Sequence, residues 1–574
     1  MSTPAGQPLD LSHQIAQMMV MVVPGRLFSP QPFPAEQASG SRFPSVRQLQ
    51  KWIQSWGLGG VWVQGAPAPE AMLRIQQLQS WAPLPLLVGA NGAVGLAEQF
   101  EGTTPFPPPR CLDDLQPLAS RVPQLPKDGQ IRKDGDPTRP DITTPPALPR
   151  DVAAAGQMGH FIAREAKAIG LNWLLGLSLE GDPAASSFGR NPAQIAARVG
   201  AYARAALAEG VLVSAQVPRH QENWRSGWTE GWANGLGGLE VEGWDPAFPR
   251  DLGAGLLIAD LRQDPLSPAP PSQPEASQTT ATFKPDHVIS AVQAGVDLVV
   301  VDSVEVAVEA LTQAVVKGQV TPERVAISVH RILEAKARIH PGSRVVLRHF
   351  WPALAEQEAT APTGDVTAGR ILSEASSRHL LGTSKPQASS SSLNRLVPAL
   401  LNSQRGGRAL QSRLAQADAW ACAQDLVAQS ITGDSCGKWP LYPSADWLNW
   451  IWVDDGGDRP LLTDPAVQHL QIKEMTTLIS DGLMPLPLLE KALQEAPHIF
   501  FQWIGGSQGV HPLVTHLLQD HLTKLSACIF YQHAAQAGQW SPILAKNGIP
   551  HLHIHSRTGH AQAFALDSFL RSRS

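Results

Sequence analysis

Four cysteines in 574 residues leave little material for a covalent or zinc framework. Cys111, Cys422, Cys436 and Cys528 are far apart and none has a partner at CxxC spacing, so they read as buried thiols of a reducing compartment. Charge of one sign is scarce too. A net charge of −5 at pH 7 offers no basic excess to neutralise phosphates, which excludes a nucleic acid as the expected partner. Long apolar runs are missing. Residues 15–23 are apolar but fall far short of the roughly 20 residues a membrane helix needs. No basic segment precedes them and no small-residue cleavage site is clear, so neither export nor membrane association is expected, and the chain reads as cytoplasmic. Tyrosine is rare, at 3, whereas tryptophan reaches 17. Several of these tryptophans lie in residues 224–244, which read as a loop whose indoles could stack on a flat ligand; core packing is the commoner fate.

What is present is apolar content of 43%, enough for a sizeable interior, in a chain too long for one core. Apolar strands alternate with amphipathic helices from the start. Residues 15–23 predict a first strand with a lead-in helical turn. Helices follow at 45–56 and 69–80, where Met72, Ile75 and Leu78 recur at helical spacing. Strands are predicted at 59–63, 84–89, 170–175, 211–217, 255–260 and 295–301. Further helices are expected to end at 165–169 and to run over 191–209, 287–294, 304–317 and 321–338. Asn191-Pro192 opens one of these with a cap and a first-turn proline. Repeated βα units of this kind indicate a parallel sheet covered by helices, and their number, near eight, predicts an α/β fold of the (β/α)8 TIM-type barrel class. The expected organisation is a barrel over residues 1–340, a linker region over 341–395 and a smaller α/β sandwich-like domain over 396–574.

Three stretches interrupt the pattern. Residues 122–149 are rich in Pro, Asp and Lys, residues 263–283 in Pro, Ser, Thr and Gln, and residues 384–392 are of low complexity. None can bury enough apolar surface to offset its ordering entropy, so all three read as loops or connectors. In the last third, residues 450–454, 499–503, 528–531 and 550–555 read as strands, with a helix at 512–520. Residues 550–555 place His551, His553 and His555 on one strand face, an arrangement able to ligate zinc; ordinary partly buried or exposed histidines are the commoner outcome. Asp454-Asp455 reads as a turn cap. Gly505-Gly506 after a strand has the look of a phosphate loop without its Lys-Ser/Thr ending, and reads as a turn.

The chain can be organised around Gly255-Leu256-Leu257-Ile258-Ala259-Asp260, a short apolar run ending in a carboxylate before a polar, Pro-rich segment. In a parallel barrel the C-terminal strand edge is where catalytic groups are placed. The bland alternative is an Asp that caps a turn.

Several landmarks share an order and spacing with one family. Gly57-Leu58-Gly59-Gly60-Val61 looks like its "GGV" strand, and Thr103-Thr104-Pro105-Phe106-Pro107 like its "TTxFP" turn. Gly170-Leu171-Asn172-Trp173 matches its "GxN" strand, Phe188-Gly189 its "RxFG" loop, and Ala294-Gly295-Val296-Asp297-Leu298 its "AGxD" strand. Over about residues 10–340 the chain thus resembles glycoside hydrolase family 3, in particular bacterial β-N-acetylglucosaminidases and related β-glucosidases. The resemblance implies a retaining O-glycosyl hydrolase without cofactor or metal, acting on a small saccharide or glycan fragment. It places Asp260 on the nucleophile, the carboxylate that attacks the anomeric carbon to form a glycosyl-enzyme. The sugar-binding positions it implies are Asn91, Gln99, Glu180 and Arg219. Asn91 stands where the family has an Asp, Gln99 where it has an Arg, and Ser186 where the loop Arg belongs. The "KHFPGHG" strand end has become Ala215-Gln216-Val217-Pro218-Arg219-His220-Gln221, and no "DxH" pair occurs between Gln221 and Asp251. His220 is the expected acid/base, with Glu222 or Glu230 as alternatives if buried. Because these departures fall together, the competing expectation is a carbohydrate-binding or scaffold protein on a catalytically impaired barrel.

Overall fold

The computed structural model describes residues 9–27, 43–92, 94–115, 149–179, 188–189, 192–217, 236–242, 255–262, 284–340, 410, 412–434, 441, 446–453, 464–471, 475–480, 485–505, 512–531 and 534–570. Eight parallel strands close into a barrel: β1 (Met19–Pro24), β2 (Gly60–Gln64), β3 (Leu87–Asn91), β4 (Trp173–Ser178), β5 (Leu212–Gln216), β6 (Gly238–Glu242), β7 (Leu256–Asp260) and β8 (Leu298–Val301). Each strand pairs with its neighbour in chain order, and β8 returns to β1 through Met19↔Val299. This is the expected (β/α)8 architecture.

Helices α1 (Leu11–Gln17), α2 (Val46–Trp56), α3 (Ala68–Trp81), α4 (Arg150–Ile169), α5 (Pro192–Ala208), α6 (Pro285–Gln293), α7 (Val304–Val316) and α8 (Pro322–Ile339) cover the strands. Their ends follow from local chemistry. Ser45 caps α2 in a reciprocal capping box with Gln48, and Thr321 accepts from Arg324 N at the start of α8. Gly170, expected to begin β4, instead ends α4 at φ 103, a left-handed position that suits glycine, and the strand starts at Trp173. One strand contradicts the expected loop over residues 224–244. In β6, Gly237-Gly238 and two glutamates disguise an alternating strand, Leu239-Glu240-Val241-Glu242, which pairs with both β5 and β7.

The family-like landmarks turn out to be staples. Asn172 is buried; its Oδ1 accepts from Val88 N at 2.7 Å and its Nδ2 donates to Leu86 O at 2.9 Å, tying β4 to β3. Asp297, fully buried, accepts from Leu257 N (3.2 Å), Ser328 Oγ (2.6 Å), Arg324 Nη2 (3.1 Å) and Arg331 Nη1 (3.2 Å), which anchors the root of β7 to α8. Thr104 donates its N–H (2.9 Å) and hydroxyl (2.7 Å) to buried Glu165 of α4, and Ala415 N adds a third bond at 2.7 Å. Burial raises the Glu165 carboxyl above its ordinary range, opposed by these bonds. At Gly59 a Cβ would collide with the Gln17 carbonyl, so the close approach of β2 to the end of α1 requires glycine.

The last third folds around a six-stranded sheet in the order β9 (Thr432–Asp434), β14 (His551–Ile554), β13 (Leu525–Tyr531), β12 (His498–Ile504), β10 (Trp447–Val453), β11 (Thr476–Ser480). All pairs are parallel except β9 with β14. Its strands alternate between two cores. Ile451, Phe500, Ile529 and Ile554 face one side; Trp450, Trp452, Phe501 and Phe530 face the other. Trp450, Trp452, Trp503 and Trp540 are buried. Trp224 and Trp244 lie outside the described residues, as do the three low-complexity stretches apart from Pro149, Asp454-Asp455 and the residues after Gly505. Cys111 and Cys528 are buried, Cys422 is half-buried and Cys436 is not described. Helix α9 (Ala417–Gln429) joins the two units: Ala419, Ala423 and Leu426 belong to the barrel's apolar core, and Arg164 of α4 meets Asp418 at 2.7 Å. No described helix is long and apolar enough to cross a membrane.

Candidate active site at the barrel mouth

Asp260 ends β7, with Glu242 beside it on β6 and Val300 on β8. Its side chain is 21% exposed and held by Arg262, two residues on. Arg262 Nη2 donates to Oδ2 at 2.6 Å, Nε to Oδ1 at 2.9 Å and the backbone N–H to Oδ1 at 3.1 Å. The guanidinium carbon lies 5.2 Å from the ring centroid of Trp62 on β2, three strands around the barrel from β7. A cation shared between those two walls has to lie across the mouth, so the carboxylate it holds faces inward. Exposed Asp302, just after β8, completes the group. Desolvation on its protein-facing side raises its pKa, Arg262 opposes that rise and Asp260 adds to it. Burial works against the Arg262 cation, but the bond and charge of Asp260, with Asp302, raise its pKa above the usual value.

Below the mouth the interior is polar as well as filled. Buried Glu240 of β6 accepts from Gly176 N at 3.0 Å and from the Ser214 hydroxyl, and Trp173 Nε1 donates to Ser214 Oγ at 3.0 Å. These groups come from β4, β5 and β6, and their network fixes one wall beneath Asp260.

Asn91 ends β3, half-buried, in register with Leu175 of β4. β3 stands four strands from β7 in either direction, so Asn91 and Asp260 occupy opposite walls of one mouth. Gln99 sits in the loop after β3; its carbonyl accepts from Ala66 N at 2.9 Å and its Oε1 from Gly65 N at 3.4 Å, so it clamps the end of β2 to that loop. Glu180, Arg219 and His220, with the alternatives Glu222 and Glu230, lie outside the described residues, as does Ser186. Sequence reasoning missed Arg262, Trp62, Asp302 and Glu240. The i, i+2 spacing of Asp260 and Arg262 at a strand end was a usable signal for the first, and the alternation in β6 for the last.

The arrangement supplies a fixed carboxylate on one wall, a neutral amide on the other and an indole face between them. The Arg262 guanidinium is seated on that indole.

No protein-family model and no curated protein sequence matches the chain. Solved structures do. A glycoside hydrolase family 3 β-N-acetylglucosaminidase from Paenibacillus sp. str. FPU-7 superposes with a TM-score of 0.61 at 15% identity, over 97% of this chain and 96% of that one. The β-glucoside phosphorylase BglX bound to 2FGlc gives 0.61 at 13% identity, over 97% and 92%. A mutant of the exo-1,3/1,4-β-glucanase ExoP from a Pseudoalteromonas species gives 0.54 at 12%, over 98% and 87%. At such identities the likeness establishes a shared fold, and it spans both the barrel and the C-terminal sheet. The Paenibacillus enzyme belongs to the family whose landmarks the residues resemble.

Proposed function

We propose that the chain is a glycoside hydrolase of the family 3 type, acting with retention on β-N-acetylglucosaminides or β-glucosides, with Asp260 as nucleophile. The observation that carries this is a carboxylate on the last residue of a barrel strand, turned into the mouth. There it can attack an anomeric carbon from below, with Trp62 as a stacking face and Asn91 as a hydrogen-bonding partner opposite. For attack, the sugar must take the place of the Arg262 guanidinium over Trp62, which frees one carboxylate oxygen from its clamp. His220 is the proposed acid/base, with Arg219 and Glu180 as sugar contacts. The scarcity and spacing of cysteines support a cytoplasmic setting, with glycan or cell-wall fragments as substrates, and the domain limits proposed are 1–340, 341–395 and 396–574.

A second reading is saccharide binding without turnover. The bidentate Arg262 pair favours it, because an ion-paired carboxylate is a weaker nucleophile and the cation fills the sugar's place. Hydrolysis of aryl β-glucosides and aryl β-N-acetylglucosaminides by wild type and Asp260→Ala separates the two. The hydrolase reading expects turnover that falls about a thousandfold in the variant. Equal turnover in both removes Asp260 from the mechanism; binding of a saccharide without any turnover leaves the second reading.

A further inference from the structure

One cluster outside the barrel mouth joins the two halves of the chain. His553 lies on β14 and His555 just beyond it, on the same face of the strand, and both are nearly inaccessible at 4% and 3% exposure. His551, the third histidine of that face, turns away, its Nδ1 lying 3.1 Å from Ile549 O. Asp114 comes from the barrel, as the last residue of the 3-10 turn Pro109–Asp114 in the loop after β3. That turn is rigidly held: Arg198 donates to Asp113 at 2.6 Å and to Phe188 O at 2.6 Å. His555 Nε2 is 2.7 Å from Asp114 Oδ2, and one ligand atom from each of Asp114, His553 and His555 lies within 4.8 Å of the others.

We propose that Asp114, His553 and His555 form a binding site for a divalent transition metal of the zinc class, clamping the C-terminal domain onto the barrel loop. Two imidazoles and one carboxylate are a donor set that zinc takes and that magnesium and calcium do not favour. With Zn–N and Zn–O about 2.1 Å, tetrahedral ligands stand about 3.4 Å apart. The close His555–Asp114 pair then opens by about 0.7 Å and the widest pair closes by at most about 1.4 Å, within the reach of ring and carboxyl torsions. His553 Nδ1 lies 3.4 Å from the Thr432 hydroxyl of β9, so Nε2 is the nitrogen that would bind, and its ring is oriented by an oxygen partner as metal-bound imidazoles are. Water would complete the shell on the side of Asp114, which is 30% exposed. The ion would add ligand bonds to a junction where His555 already meets Asp114 and Arg557 meets Glu98 at 3.5 Å.

The test uses the untagged full chain, stripped with a chelator and titrated with Zn²⁺ alone by calorimetry, with Co²⁺ as the spectroscopic probe. One equivalent of Zn²⁺ is expected, with the visible bands of four-coordinate Co²⁺ and no competition from excess Mg²⁺. His553→Ala and Asp114→Asn are each expected to weaken Zn²⁺ binding by about a hundredfold or more, and Zn²⁺ should raise the melting temperature of wild type but of neither of these two variants. His551→Ala should bind as wild type does. Asp114→Asn keeps the packing, so its loss of metal cannot be ascribed to misfolding. Absence of Zn²⁺ binding by wild type at ~10 µM, or undiminished binding by Asp114→Asn and His553→Ala, overturns the site and leaves an interdomain hydrogen bond.

Discussion

Replacing Lys336 by Met should stabilise the barrel, and more so in acid than in base. Lys336 is fully buried on α8, where its ammonium donates to Gln17 Oε1 at 2.7 Å, while Gln17 Nε2 donates to Gly57 O at 2.5 Å. Burial pushes its pKa down from 10.5 to about 7. A folded-state pKa below the unfolded one means that the folded protein binds fewer protons. The cost is therefore full below pH 7, declines as pH rises, and vanishes above pH 10.5. At about 1.36 kcal/mol per unit, the full cost is about 5 kcal/mol. Methionine keeps the stem and removes the charge, but leaves the Gln17 carbonyl without its donor, at about 1–3 kcal/mol. The net gain should be about 2 kcal/mol or more at pH 6, shrinking by about 3 kcal/mol at pH 9, where wild type has already shed most of its burden. Urea midpoints of the two proteins at the two pH values read this directly. A variant no more stable than wild type at pH 6, with a difference that does not change with pH, would refute the reasoning.

Two further outcomes follow from the same contacts. Asn172→Ala strips the partners from Val88 N and Leu86 O inside the barrel and should cost about 2–4 kcal/mol, visible as a lowered melting temperature; a loss under 0.5 kcal/mol would mean that water replaces the amide. Arg262→Ala unclamps Asp260 and clears the Trp62 face, so kcat on an aryl glycoside should rise about tenfold; a fall of that size would make Arg262 a sugar ligand instead.

The barrel was legible because its signals are local and redundant. A buried parallel strand is a short apolar run, and Leu256–Asp260 and Leu298–Val301 could be little else. β6 escaped because its outer character, two glycines and two glutamates, hides an inner role: Glu240 is buried only because Ser214 and Gly176, remote in the chain, satisfy it. The family-like landmarks were readable for a related reason. Asn172, Asp297, Thr104 and Gly59 each hold backbone in place, a duty that tolerates few residue types. The departures fall elsewhere: Asn91 stands at the mouth, and Gln99 has taken up a local backbone clamp, its Oε1 accepting from Gly65 N at 3.4 Å and its carbonyl from Ala66 N at 2.9 Å. The Arg262 clamp and the Asp114–His553–His555 cluster were illegible in part or whole, since each depends on which loops the closed barrel brings together.

The most direct test of the central claim is covalent capture. Activated 5-fluoro β-glycosyl fluorides, bearing either a 2-hydroxyl or a 2-acetamido group, are incubated with the protein, and the adduct is mapped by peptide mass spectrometry. One sugar mass on the peptide containing Asp260, absent from Asp260→Ala, is the predicted result. Turnover of a glycoside with the adduct on another carboxylate, or saturable saccharide binding with no adduct at all, would contradict it.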